Sequence, residues 1–272
     1  MKIIILCSAL LWTTGTWATN APESKPVEIA RSYTLESKIL GQTRTLNVYL
    51  PPGYKQSKTT YPVLYLLDGG VEEDFLHIMG IASLAAEFRN IRPFILVGIE
   101  GIDRYHDLIH PTTVKKEKEQ SPTSGGSSAF RSFVGKELQP FVEKHFRVSA
   151  ERVIMGESAA GMFVVETLLK EPGLFNGYIA VSPMLWWDNQ SLAKSAEIAL
   201  ANPVFPANRR LYLTIANEGD EMQGGVDLLV AACKKKGEKD LNLTYAPMHE
   251  ENHGTIFHPA ALKAVRLFFK IK

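Results

Sequence analysis

The most constraining feature of this chain is a series of short, almost uninterrupted apolar runs that alternate with amphipathic stretches. The runs read YPVLYLLDGG, RPFILVGIEG, RVIMGES, GYIAVSP, LYLTIANEGD and LNLTYAPM. Strands that are apolar on both faces are typical of a parallel sheet covered by helices on both sides, and right-handed crossovers between them build a doubly wound sheet. We therefore predict an α/β fold with a mostly parallel sheet.

Two earlier segments have a different pattern. SYTLESKIL and RTLNVYLPPGY alternate apolar and polar residues and are joined at Gly41-Gln42, which predicts an antiparallel hairpin. The sheet should then have eight strands, with the hairpin forming an antiparallel N-terminal edge. Helical spacing predicts the covering helices in FLHIMGIASLAAEFRN, AFRSFVGKELQPFVEKHF, GMFVVETLLKEP, VDLLVAACKKKG and PAALKAVRLFFK.

The first residues have the pattern of a secretory signal peptide. Lys2 precedes an apolar run over 3–12, and small residues surround Ala18. The run is too short for a membrane-spanning helix, which needs roughly 20 apolar residues. We predict cleavage near Ala18, export to the periplasm or the exterior, no stable membrane span, and a single domain over 19–272.

Charge and cysteine content argue against a nucleic-acid-binding protein and against a disulfide-rich secreted scaffold. Lysine and arginine number 30 against 29 aspartates and glutamates, so no overall field favours nucleic acid. After cleavage only Cys233 remains, so no intrachain disulfide can form, and its helical pattern predicts a core position. The run KKEKE from Lys115 is interpreted as a solvated loop.

The stretch RVIMGESAAGMF has the layout of a nucleophile elbow, in which a strand runs into a serine and then directly into a helix. The motif G-x-S-x-G needs small residues two positions on either side of the serine, and here these are Gly156 and Ala160. We predict that Ser158 is a catalytic nucleophile. The backbone N–H of Ala159, at the helix N-terminus, would then donate to an oxyanion.

A nucleophilic serine needs a general base, which in this layout follows late in the chain. His253 lies between Asn252 and Gly254, after the last strand and before the final helix, and is our choice. His249 and His258 are the competing candidates.

The base in turn needs a carboxylate, and a second oxyanion donor is expected after the third strand. The segment TIANEGDEM offers Asp220 as first choice, Glu218 as second, and Glu221. In LLDGG the candidate donors are the N–H groups of Gly69 and Gly70, although the same residues could form a plain strand-ending turn.

These linked motifs, together with SGGSSAFRSFVGKELQPFVEKHF, FNGYIAVSPMLWWDN and NHGTIFHPAALKAVRLFF, resemble the branch of the α/β-hydrolases that includes esterase D and the enterochelin (siderophore) esterases. The resemblance covers about 31–272. It implies a serine esterase with Ser158, Asp220 and His253 as its triad and no metal or organic cofactor.

The resemblance also indicates a substrate region, with two departures in the elbow. Arg104, Trp186 and Trp187 match positions near the cleft of such enzymes, and the tryptophans either line a groove or form an apolar cap on the sheet. Relatives usually carry G-H-S-x-G-G, whereas this chain has Glu157 and Ala160 at the two altered positions. We expect Glu157 to lie at the cleft edge and to tune substrate choice.

The sequence therefore predicts an exported serine esterase that cleaves a small-molecule carboxylic ester through an acyl-enzyme. Siderophore-type, aryl and short acyl esters all fit. An acyltransferase on the same fold and a non-catalytic binding protein are the alternatives. Oligomeric state is not predicted.

Overall fold

A computed structural model describes residues 23–88 and 90–271. The predicted signal peptide and its cleavage site near Ala18 lie outside the described residues. The single domain over 19–272 stays a prediction. Within the described ranges no helix is both long and apolar enough to cross a membrane.

The sheet has eight strands in the order β1-β2-β4-β3-β5-β6-β7-β8, which confirms the predicted architecture. β1 and β2 are antiparallel, β2 pairs antiparallel with β4, and all the remaining pairs are parallel. The strands are β1 Arg31–Ser37, β2 Gln42–Tyr49, β3 Tyr61–Leu66, β4 Ile95–Ile99, β5 Val148–Glu157, β6 Gly177–Val181, β7 Arg209–Thr214 and β8 Leu241–Tyr245.

Helices cover both faces of this sheet. They are α1 Phe75–Glu87, α2 Arg104–Leu108, α3 Lys115–Gln120, α4 Ser127–Phe133, α5 Gln139–His145, α6 Ala159–Lys170, α7 Trp187–Leu200, α8 Gly219–Lys236 and α9 Phe257–Phe268. Successive residues of β3 show why its run is apolar throughout. Val63 and Tyr65 pack in the core that includes α4 and α6, whereas Leu64 and Leu66 pack in the core beneath α1 and α9.

The structure differs from the predicted helices in several places, and it adds α2 and α7, where no helix was predicted. The pattern predicted as one helix over 129–146 is divided by a π-helical turn at Val134–Leu138. The run KKEKE forms the short helix α3 instead of a loop, because the buried Glu117 accepts hydrogen bonds from Thr112 and from the Asp188 backbone. Helix α8 begins at Gly219, seven residues before the predicted start at Val226. Cys233 is buried in the core as predicted.

The parallel strands place their carboxyl ends at one edge of the sheet. The loops after β3, β5, β6, β7 and β8 therefore meet there, as ligand-binding loops do in open α/β sheets.

Candidate active site

Ser158 lies on the turn between β5 and α6 with backbone angles of φ 58° and ψ −115°. A non-glycine residue adopts such angles only when its surroundings enforce them, and this strain is characteristic of nucleophile elbows. A Cβ on Gly156 would lie 2.6 Å from Ala160 Cβ and 2.7 Å from the Ala160 carbonyl carbon. The turn therefore demands glycine at 156, whereas the methyl of Ala160 fits because Gly156 has no side chain.

Hydrogen bonds to neighbouring elements fix the backbone of this turn. The Ser158 N–H donates to Val181 O over 3.0 Å, and the Ser158 carbonyl accepts from the N–H groups of Met162 and Met184 at 2.9 and 3.0 Å. A Cβ on Gly161 would lie 2.8 Å from Val181 O, so this glycine lets α6 start close to β6. The serine is thus held in one orientation at the sheet edge.

His253 and Glu218 meet at the same edge. His253 lies in the loop between β8 and α9, and its Nδ1 contacts Glu218 Oε1. Ser182 Oγ, from the loop after β6, donates to Glu218 Oε2 over 2.8 Å. The Glu218 side chain is only 6% exposed, whereas that of His253 is 49% exposed. The contact orients the ring through Nδ1 and leaves Nε2 free to accept a proton.

The carboxylate at His253 is Glu218, so the prediction that Asp220 holds this position is wrong. Because α8 begins at Gly219, Asp220 and Glu221 lie exposed in its first turn, while Glu218 sits directly before the helix. Adjacent acidic residues after a glycine are a helix-start signal, which could have indicated this arrangement.

The competing histidines lie elsewhere. His258 Nδ1 is 3.2 Å from His77 Nε2, on the α1 side of the molecule, and His249 is exposed in a turn. No hydrogen bond joins Ser158 to His253 among the described residues, and such contacts often tighten only when substrate binds.

The contact shifts the pKa of both partners. Burial alone would raise the pKa of Glu218, but the hydrogen bonds from His253 and Ser182 outweigh burial and lower it. The hydrogen bond to Glu218 raises the pKa of His253 above its ordinary value, although burial of the ring opposes this. Glu218 therefore stays ionised and stabilises an imidazolium.

The candidate oxyanion donors are not equivalent. Ala159 is the first residue of α6, so its N–H has no acceptor within the helix, and no other described residue accepts from it. The Gly69 N–H donates to Ile99 O over 2.9 Å, which makes the prediction for Gly69 wrong. The Gly70 N–H donates to Glu73 Oε2 over 2.6 Å and can serve an oxyanion only if that carboxylate moves.

Arg104 lies beside the elbow, and its charge is already paired. Its Nε donates to both carboxylate oxygens of Asp68 at 3.0 and 2.9 Å, and a terminal nitrogen donates to Glu157 O over 3.1 Å. Asp68 lies two residues after the end of β3, and its pairing with Arg104 was not predicted from the sequence.

The two tryptophans separate. Trp187 is buried, and its Nε1 donates to His110 O over 2.9 Å, so the prediction that it lines a substrate groove is wrong. Trp186 is half-buried and packs edge-on against Trp187 with ring centroids 5.8 Å apart. Of the pair, only Trp186 stays available to a ligand.

The described residues contain no group of three or more histidine, cysteine, aspartate or glutamate side chains arranged to hold a metal ion.

The mixed eight-stranded sheet and the serine elbow at its edge define an α/β-hydrolase. A family described as Putative esterase matches residues 37–253, and the chain belongs to this family. Several of its relatives are named esterases and a structural neighbour is named a serine hydrolase, and the protein is a carboxylic ester hydrolase.

Three similar proteins illustrate the relationship. The ferri-bacillibactin esterase BesA of Bacillus subtilis is 29% identical over 195 residues, covering 66% of this chain and 67% of the relative. The siderophore enterobactin esterase of Emericella nidulans is 40% identical over 75 residues, covering 26% of this chain and 25% of that protein. A crystal structure of an IroE-like serine hydrolase from Shewanella oneidensis superimposes with a TM-score of 0.79 at 29% identity, covering 88% of this chain and 80% of the other.

Proposed function

We propose that the protein is an exported serine esterase with Ser158, His253 and Glu218 as its catalytic triad. The observation that carries the proposal is the linked contact of His253 with Glu218 and of Glu218 with Ser182, at the sheet edge where the strained serine turn lies. A buried carboxylate that orients a half-exposed imidazole is the arrangement that a general base for a serine requires.

The reaction then follows in two half-reactions. His253 Nε2 accepts the Ser158 proton while Oγ attacks the ester carbonyl, and the tetrahedral oxyanion is stabilised by the Ala159 N–H. The imidazolium, stabilised by Glu218, gives its proton to the leaving alkoxide, which departs as an alcohol and leaves an acyl-enzyme. Water loses a proton to His253 and attacks the acyl carbonyl, which releases the acid and restores Ser158 Oγ–H.

Gly70 is the proposed second oxyanion donor. Its N–H is directed at Glu73 and would have to be released by rotation of the Glu73 side chain. That rotation breaks two hydrogen bonds, because Glu73 Oε2 also accepts from the Gly101 N–H over 3.4 Å.

Siderophore-type esters are the first substrates to test, because BesA and the Emericella enzyme are named for ferri-bacillibactin and enterobactin. Aryl and short acyl esters are the second and third classes. The purified protein should be assayed against all three, with Ser158→Ala as the control. We expect the variant to lose turnover by a factor on the order of 10⁴ to 10⁶ on every ester that the wild type cleaves. Wild-type turnover in the variant would contradict the assignment.

Export is tested separately by N-terminal sequencing of the protein secreted by cells that express the full chain. We expect the mature protein to begin just after Ala18. A protein that stays inside the cell with Met1 intact would contradict the signal peptide.

A further inference from the structure

Glu157, which directly precedes the nucleophile, carries a carboxylate that no described residue satisfies. Its Oε1 is buried without a hydrogen-bond partner, and no described side chain or backbone group donates to either oxygen. A buried polar atom without a partner is uncommon and costs free energy, so it needs an explanation in the bound state or in the reaction.

The charges around Glu157 are mostly negative. Asp74 lies before α1, Glu218 follows β7, His253 lies before α9 and Arg104 begins α2, and the charges of these four groups act on the Glu157 carboxyl. Asp68 and Glu73 add two further carboxylates close to Asp74.

The one arginine among these groups does not offset this charge for a ligand. Arg104 is paired through Nε with both oxygens of Asp68, so its cation is compensated before a substrate arrives. When His253 is neutral, as a general base must be, the surroundings of Ser158 carry a net negative charge. A cleft lined by one sign of charge attracts the opposite sign and repels its own.

We propose that Glu157 makes the site select esters whose acyl part is neutral or cationic over esters whose acyl part is anionic. The inference rests on the proposed esterase function and names the charge class of its substrate. Glu157 directly precedes Ser158, so its charge acts on an acyl group bound there, and a cationic acyl group offsets the carboxylate that no described residue satisfies.

The selection depends on pH in a defined direction. Burial raises the pKa of Glu157 to about 7, and the Asp74 charge adds to this while those of His253 and Arg104 oppose it. Burial likewise raises the pKa of Asp74 to about 6. Both groups gain negative charge as the pH rises, so the preference for cations increases between pH 5.5 and 8.5. Catalysis requires neutral His253 whichever ester is bound. Titration of His253 therefore changes kcat/KM for both esters by the same factor and leaves the ratio of the two values unchanged.

The test uses three p-nitrophenyl esters with acyl chains of matched size. They end in a trimethylammonium group, in its neutral tert-butyl isostere and in a sulfonate, none of which titrates in this range. We expect the wild-type kcat/KM ratio of cation to sulfonate to exceed ten at pH 8. In Glu157→Gln the ratio should fall on the order of tenfold and keep only the weaker pH dependence that the titration of Asp74 supplies, with the neutral ester as the reference for both charged esters.

Two variants are the controls. Glu157→Asp keeps the charge and should keep the ratio. Glu238→Gln removes an exposed carboxylate near the amino end of β8, whereas the site lies at the carboxyl ends of the strands. This variant should leave the ratio unchanged. An unchanged ratio in Glu157→Gln, or an equal loss in Glu238→Gln, would overturn the inference.

A wild-type measurement covers the case in which Glu157→Gln does not fold. Raising the salt concentration from 0.02 to 0.5 M should reduce the cation-to-sulfonate ratio several-fold, because salt screens charges at a half-open site. A salt-independent ratio would refute charge selection. If the esterase proposal itself fails, none of the three esters will be cleaved in a Ser158-dependent manner, which is a different result from an unselective esterase.

Discussion

Replacing Glu218 by glutamine removes the charge that His253 needs while keeping the size of the side chain. Glutamine has one carbonyl oxygen, whereas Glu218 uses one oxygen for His253 and the other for Ser182. If the amide nitrogen faces the ring, it favours the tautomer with the proton on Nε2, which cannot accept a proton from Ser158. If the oxygen faces the ring, the tautomer is correct but the imidazolium loses its stabilising charge.

Either orientation should lower kcat on the order of 10³ to 10⁴, because the carboxylate of such a triad both orients and stabilises the imidazole. At 1.36 kcal/mol per factor of ten, this corresponds to about 4–5 kcal/mol of transition-state stabilisation. The matched control is Asp220→Asn, which removes an exposed carboxylate two residues away in the first turn of α8. It should keep turnover within about twofold and cost about 0.3–1 kcal/mol of stability, since the carboxylate favours the helix N-terminus.

The assay is saturation kinetics on a short p-nitrophenyl ester, with circular dichroism confirming that both variants fold. Glu218→Gln retaining more than a tenth of the wild-type kcat, or Asp220→Asn losing as much as Glu218→Gln, would refute the assignment.

Three further predictions concern the base, the elbow and the core. kcat/KM should fall as the pH decreases through the raised pKa of His253, because a protonated ring cannot accept a proton, and an acidic limb at or below the ordinary value of 6.5 would contradict this. Gly156→Ala should lower the melting temperature by several degrees, and Ala160→Gly should not rescue it, since the backbone of residue 160 would still lie 2.7 Å from the new methyl. Arg44→Met should lower the free energy of unfolding, measured in urea, by about 3–5 kcal/mol. Arg44 is 0% exposed and pairs with the buried Asp107, so the variant leaves that carboxylate buried without its partner. A change below about 1 kcal/mol would show that the pair is dispensable.

The sheet and the elbow could be predicted because their causes are local in sequence. Strands buried on both faces need continuous apolar runs, and β3 shows this directly, with Val63 and Leu64 facing opposite cores. The elbow needs small residues at fixed offsets from Ser158, because a Cβ on residue 156 would lie only 2.6 Å from Ala160 Cβ.

The acid and the oxyanion loop could not be predicted because their causes are not local. Glu218 reaches His253 only because β7 ends at Thr214 and α8 begins at Gly219, and a shift of that helix start by one turn would change which carboxylate faces the ring. Gly69 is engaged by Ile99 on the neighbouring strand, a contact that follows from the strand order rather than from LLDGG itself.

Buried contacts between distant segments account for two further differences. Glu117 is buried because it accepts a hydrogen bond from the Asp188 backbone, 71 residues away. The local pattern KKEKE, interpreted as a solvated loop, contains no sign of that distant partner. Trp187 is likewise buried by its hydrogen bond to His110 O, 77 residues earlier.

The most direct test of the central claim is covalent labelling of the folded protein with a fluorophosphonate probe, followed by peptide mass spectrometry. If Ser158 is the activated nucleophile, one adduct should form on the peptide that contains it. Labelling should be abolished in Ser158→Ala and strongly slowed in His253→Ala. Equal labelling of the wild type and Ser158→Ala, or no adduct on folded wild-type protein, would contradict the account.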